Sequence, residues 1–138
     1  MPLTLSYSES VLDKSLIQEI GKKITDAFLK WHDLTGNSVM TPNITMHIQE
    51  YGDGLTLAGG VSVPGIWLEC LTPSFALADR SIQQGFFAEA TDILEQYSQG
   101  RVERRQIYTN LVHTVDGSWN LDGRAMTNAE LEEAISQG

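Results

Sequence analysis

The sequence predicts an α+β fold in which two tandem β-α-β units build one four-stranded sheet with two helices on one face. Three observations carry that expectation. The order of apolar strand, amphipathic stripe and apolar strand occurs twice along the chain. The two helical stripes match in register: Leu16, Ile20, Ile24, Ala27, Phe28 and Trp31 pair with Ile82, Phe86, Ala90, Ile93, Leu94 and Tyr97 at a constant spacing of 66 residues. Six apolar pairs at one offset mark a duplicated unit. Finally, the chain has 138 residues, 41% of them apolar, enough for one ordinary domain. Units this short cannot each cover both faces of a sheet, so they are expected to share one, the first over about residues 1–60 and the second over 61–138.

In the first unit, Leu3, Leu5 and Tyr7 alternate with Thr4, Ser6 and Ser8, the period of a half-buried strand. Apolar residues then recur at helical spacing over about residues 13–32, leaving Lys14, Glu19, Lys22, Lys23 and Lys30 to the solvated side. Leu34-Thr35-Gly36-Asn37 breaks the helix, and residues 43–49 alternate again through Ile44, Met46 and Ile48. Glycine-rich stretches at 51–54 and 58–60 flank Leu55-Thr56-Leu57, which is expected to be a hairpin arm. In the second unit, residues 65–71 read as a largely apolar strand that Pro73 ends, the second stripe is closed by Gly100, and residues 107–112 read as another strand. The stretch 116–124 is turn-rich; a last short helix is expected after it, with Thr127 as N-cap and Glu130 completing a capping box. The sheet face without helices also needs cover, which symmetric self-association supplies most cheaply.

Nine basic against eighteen acidic side chains, a formal charge of −9, argue against nucleic-acid binding, which needs a basic face. A small anion held by one or two placed cations stays possible. Cys70, the one cysteine, excludes an internal disulfide framework and fits a reducing, cytoplasmic setting; in its apolar run it reads as a small buried hydrophobe. No apolar stretch approaches the roughly 20 residues of a membrane span, and residues 1–7 lack the basic start and apolar run of a secretion signal. His32, His47 and His113 have no metal-binding spacing, and the phosphate-loop, His-Glu-x-x-His, CxxC and Gly-x-Ser-x-Gly patterns are missing. No metal and no cofactor are expected.

Catalysis, if present, points to Pro2. A small penultimate residue permits removal of Met1, leaving a secondary amine at the head of the first strand. Desolvation and a nearby cation both disfavour its charged form and bring its pKa towards neutrality, so that it acts as base when neutral and as acid when protonated.

A Pro2 opening the first strand of two β-α-β units, in a chain of this length, resembles the tautomerase superfamily. That superfamily includes 4-oxalocrotonate tautomerase, macrophage migration inhibitory factor, malonate semialdehyde decarboxylase and cis-3-chloroacrylic acid dehalogenase. Ile24-Thr25-Asp26-Ala27, Leu34-Thr35-Gly36 and Leu57-Ala58-Gly59-Gly60-Val61 look like the dehalogenase group. Met1-Pro2-Leu3, Leu111-Val112, Asp116-x-x-Trp119 and Gly123-Arg124-Ala125 look more like the decarboxylase. The resemblance implies a homotrimer with a proline in each active site close to a subunit interface. The departures weigh on the reaction. Phe28 stands where the dehalogenases carry a histidine, and one displaced arginine, Arg80, replaces their pair. Their water-activating tyrosine and glutamate have no clear equivalents around Asn110 and Leu121, and Asn37 and Ser38 stand near the decarboxylase aspartate. The proline remains, and it suffices for proton transfer between the atoms of an enol or dienol.

The expected activity is therefore tautomerisation of a small anionic 2-oxo (2-hydroxy-enoic) acid. Arg80 either binds the carboxylate bidentately or pairs with Asp79. Arg124 is a second cation or a surface charge, His113 and Asn110 are candidates to polarise the substrate oxygen, and Trp119 is an apolar wall or plain packing. Proline-dependent decarboxylation, or hydration or dehalogenation, of a 3-carbon acid stays open, as does a non-catalytic trimeric binding protein.

Overall fold

The alternation at the head of the chain forms strand β1 (Pro2–Ser8), with Leu3, Leu5 and Tyr7 buried and Thr4 and Ser6 half-buried on the other side. The computed structural model describes residues 1–138. A single 3-10 turn capped by Asp13 leads into α1 (Ile17–Trp31), followed by β2 (Thr45–Tyr51). The expected hairpin arm sits two residues later than the apolar triplet suggests, as β3 (Leu57–Ala58) and β4 (Val61–Ser62). Gly59 and Gly60, both at positive φ, make the turn between them. The second unit supplies β5 (Ile66–Pro73), α2 (Arg80–Ser98) and β6 (Ile107–Thr114). Beyond it come β7 (Trp119–Leu121), β8 (Arg124–Met126) and α3 (Asn128–Ser136).

The four long strands form one mixed sheet in the order β2-β1-β5-β6. β1 runs parallel to β2, β5 runs parallel to β6, and β1 and β5 meet antiparallel at the centre. Each unit thus keeps its own parallel crossover, and the two join at one seam. Both long helices cover the same face and touch each other, closing a core that includes Leu5, Ile24, Phe28, Leu68, Phe86 and Leu94, none with exposed surface. At Gly21, β2 comes close under α1: a Cβ there would lie 3.2 Å from Met46 Sδ.

The 66-residue offset reappears in matching burial and in matching contacts between the two helices. Ile20 and Phe86, Ile24 and Ala90, and Phe28 and Leu94 are all fully buried pairs. Trp31 lies over Gly85 and donates its indole N–H to Glu89 at 2.8 Å. Tyr97, its counterpart, bonds Glu19 at 2.6 Å and takes the Lys23 ammonium over its ring. Residues 19 and 23 are the offset partners of 85 and 89, so the duplication is readable as an approximate two-fold relation between the helices.

Pro73 ends its strand as expected, as the last residue, opposite Thr114; β1 pairs only with residues 66–70 of β5, so there is no strand on that side to need an N–H from Pro73. One expectation is corrected. The stretch 116–124 is not merely turn: Asp122 and Gly123, both at positive φ, close a hairpin between β7 and β8. The capping box forms as expected, Thr127 Oγ1 accepting from the Glu130 N–H and Glu130 accepting from the Thr127 N–H.

Candidate functional site

Pro2 heads a central strand, and alternation turns its ring to the sheet face that no helix covers. Across that face Thr4 stands opposite Glu69, and Glu69 opposite Asn110. These residues, with Leu71 and Val112 towards the strand ends and Cys70 beneath, line a cleft of about 370 Å³ whose floor includes Pro2. Leu71 and Val112 are exposed apolar side chains at its margin. Burial pushes the Cys70 thiol up to about 12, with the Glu69 carboxylate adding to the effect, so no thiolate nucleophile is available there.

With Met1 in place, the Pro2 nitrogen is part of a peptide bond and has no lone pair to offer a proton. Met1 is held firmly. Its side chain is buried with the core, its carbonyl accepts from the Thr45 N–H at 3.2 Å, and its amine donates to the Asn43 carbonyl. Burial lowers that amine from its ordinary value to about 6. Met1 therefore continues the parallel pairing of β1 with β2 by one residue.

Arg80 is exposed at the first position of α2 and belongs to no ion pair; its Nη1 reaches only Gln83 Oε1, at 3.4 Å. Asp79 does not pair with it but caps the helix, accepting from the N–H groups of Ser81 and Ile82 and from the Ser81 hydroxyl. A cation at the positive end of a helix gains nothing from the helix dipole. Arg80, Gln83, Gln84, Phe87 and Leu111 line a neighbouring cleft of about 340 Å³, and Asn110 belongs to both clefts. Asn110 thus stands on the outer strand between the proline and the free guanidinium.

The other expected residues lie elsewhere in the chain. His113 falls on the opposite side of β6 from Asn110, where its Nε2 donates to the Ala76 carbonyl at 2.7 Å. Trp119, in β7, packs half-buried against the core. Arg124, in β8, is exposed and acts on the Glu130 carboxyl of α3. None of the three lines the Pro2 cleft. The geometry brings Pro2 and Asn110 into one cleft, leaves Arg80 in a second cleft that also reaches Asn110, and adds Thr4 and Glu69, which sequence reasoning missed. Alternation could have found Glu69: it is the one charge in the run 66–72 and falls on the same side as Trp67 and Leu71. His32 was also missed. Its Nε2 accepts from the Leu77 N–H at 3.0 Å and its Nδ1 donates to the Phe28 carbonyl at 2.8 Å, pinning the segment between β5 and α2.

No protein-family model matches the sequence, and no curated protein matches it. Solved structures do match its fold. Pt0534 inactivated by 2-oxo-3-pentynoate superposes with a TM-score of 0.73 at 12% identity, covering 94% of this chain and 98% of that one. A fused 4-OT symmetric trimer gives 0.74 at 9% identity, covering 95% and 98%. N1, a member of the cis-3-chloroacrylic acid dehalogenase family, gives 0.71 at 9% identity with both chains fully covered. Identities this low speak to architecture alone, and on architecture they agree: the chain has the tautomerase-superfamily fold.

Proposed function

We propose that this protein is a cofactor-independent tautomerase that moves a proton within a small 2-oxo (2-hydroxy-enoic) acid, with Pro2 as the acid–base group once Met1 has been removed. The observation that carries the reading is the position of Pro2: the first residue of a central strand, with its ring on the floor of a cleft. The neutral amine takes the enol proton and returns it to carbon, giving the 2-oxo acid. The neutral form of that amine is the one that takes the proton, and its protonated form is the one that returns it. Asn110, in the same cleft, polarises the substrate oxygen, and Arg80, unpaired beside it, takes the carboxylate. Inactivation of Pt0534 by a 2-oxo acid supports this substrate class.

The active form is a homotrimer, the assembly of the fused 4-OT neighbour, with a second chain against the open sheet face near each Pro2. The cytoplasm suits Cys70, a lone buried thiol that needs no partner. The test is turnover of phenylpyruvate enol and 2-hydroxymuconate by the Met1-free chain and by its Pro2→Ala variant. Loss of at least 100-fold in kcat/KM is expected; equal rates would remove the proline from the mechanism.

A second reading rests on Glu69. A carboxylate in the Pro2 cleft suits the orientation of water, so hydration of an acetylenic acid or decarboxylation of a 3-oxo acid is the alternative chemistry. Product analysis with one substrate of each kind separates the two readings.

A further inference from the structure

Thr45 is the residue opposite Pro2 in the parallel pairing of β1 with β2. Its N–H is directed at the Met1 carbonyl oxygen, 3.2 Å away. In a planar peptide that oxygen lies about 2.3 Å from the nitrogen of the next residue, here Pro2. The Thr45 donor is thus aimed at a point directly beside the proline nitrogen. When Met1 leaves, the nitrogen acquires a lone pair pointing into the volume the Met1 carbonyl carbon had filled, and the Thr45 N–H loses its acceptor. β2 is an outer strand, so no other strand can take up that donor. The buried Met1 side chain leaves an apolar recess alongside.

Resting on the proline reading above, we propose that the backbone N–H of Thr45 is a catalytic group: it, rather than Asn110 on the far strand, holds the substrate oxygen whose proton Pro2 removes, which leaves Asn110 to the carboxylate end of the substrate beside Arg80. Base and donor converge on one atom. The enol O–H bond breaks, its proton goes to the Pro2 nitrogen, and the electron pair it leaves forms the C=O bond. The C=C pair moves to carbon, which then recovers the same proton from the Pro2 ammonium. Nothing is oxidised or reduced. Negative charge grows on the oxygen as the proton leaves, so a hydrogen bond from Thr45 is stronger in the transition state than in the bound enol. The substrate this favours is an enol with its hydroxyl at Pro2 and an apolar substituent in the Met1 recess. Before processing, the Met1 carbonyl occupies the Thr45 donor, so the unprocessed chain lacks that donor as well as its base.

The experiment replaces the Ile44–Thr45 amide by an ester, using the hydroxy-acid analogue of threonine in the Met1-free chain, and measures phenylpyruvate enol turnover. The expected result is a fall in kcat of about 100-fold with little change in KM. The thermal midpoint of the processed chain is expected to hold, whereas the same ester in the Met1-bearing chain lowers it, because only there does the N–H have a protein acceptor. A native kcat in the ester chain overturns the proposal, even where Pro2→Ala is inactive; a fully active Pro2→Ala chain instead overturns the proline reading beneath it. If the ester chain cannot be produced folded, Thr45→Pro removes the same donor at the first residue of an outer strand. Ile44 before it is already extended, at φ −89° and ψ 96°. There too an unchanged kcat overturns the assignment.

Discussion

Phe28 stacks on His32 with ring centroids 4.4 Å apart and meets Phe86 edge-on at 5.3 Å, with no exposed surface. A side chain so placed is core, so Phe28 serves packing. Phe28→Ala is expected to cost about 3–5 kcal/mol in urea unfolding. His32 has taken on a structural task instead. Its Nε2 can accept from the Leu77 N–H only while unprotonated, and Leu77 is itself held at a positive φ of 54°. Burial holds the His32 pKa below its ordinary value, the Phe28 carbonyl opposing in part. A cation disfavoured by folding gives stability that is complete above the unfolded value of about 6.5 and lost as pH falls through the lower, folded value. The thermal midpoint is therefore expected to drop on acidification below that point. His32→Leu, which orphans the Leu77 N–H at a cost of about 1–3 kcal/mol, is expected to flatten the dependence. The Met1 amine titrates in the same direction, so the comparison belongs in the Met1-free chain.

Elements that bury one full face were legible in the sequence because burial imposes a period. Strand β1, both long helices and the 66-residue duplication all follow from apolar spacing, and the α3 capping box follows from side-chain chemistry at fixed offsets. The β7–β8 hairpin was not legible because three-residue strands are too short to show a period. Only its Asp122-Gly123 turn announced it. The site was legible in part. Pro2 stands out by its place at the head of a strand, whereas choosing Asn110 over His113 requires knowing which face of β6 each occupies. Arg80 and Arg124 are told apart only by the fold, which sets Arg80 in a cleft shared with Asn110 and Arg124 near Glu130, a placement that spacing along the chain does not encode. A sharper test of the helix pair is Gly85, where an added Cβ would overlap the Trp31 ring. Gly85→Ala is expected to swing Trp31 outward, break its bond to Glu89 and shift tryptophan emission to the red. Net stability is expected to change by no more than about 1 kcal/mol, since alanine regains helix propensity of similar size. An unshifted spectrum would mean that the helices part instead.

On the scale of the whole molecule the decisive surface is the sheet face without helices. Trp67 and Tyr108 stack there, 5.6 Å between centroids, and Leu71 lies opposite Val112, which is 61% exposed. Apolar and aromatic side chains there alternate with Thr4, Ser6, Gln49, Glu69 and Asn110, a mixed surface suited to association rather than to water alone. Each chain carries a formal charge of −9, so copies repel one another at long range and added salt screens that repulsion. Light scattering is therefore expected to show a three-chain mass that is firmer at 0.3 M salt than at about 0.01 M, where the Debye length reaches about 30 Å. Val112→Glu adds a carboxylate within the apolar margin of the Pro2 cleft, and in an assembly it must be either desolvated or pushed against a second acidic chain. It is expected to shift the protein to monomer with an unchanged thermal midpoint at low protein concentration, because an exposed strand position contributes little to the core. Enol turnover is expected to fall in step with the trimer fraction as the protein is diluted. Full activity in a Val112→Glu monomer would show that one chain carries a complete site, and the carboxylate would then have to be held by Arg80 of the same chain.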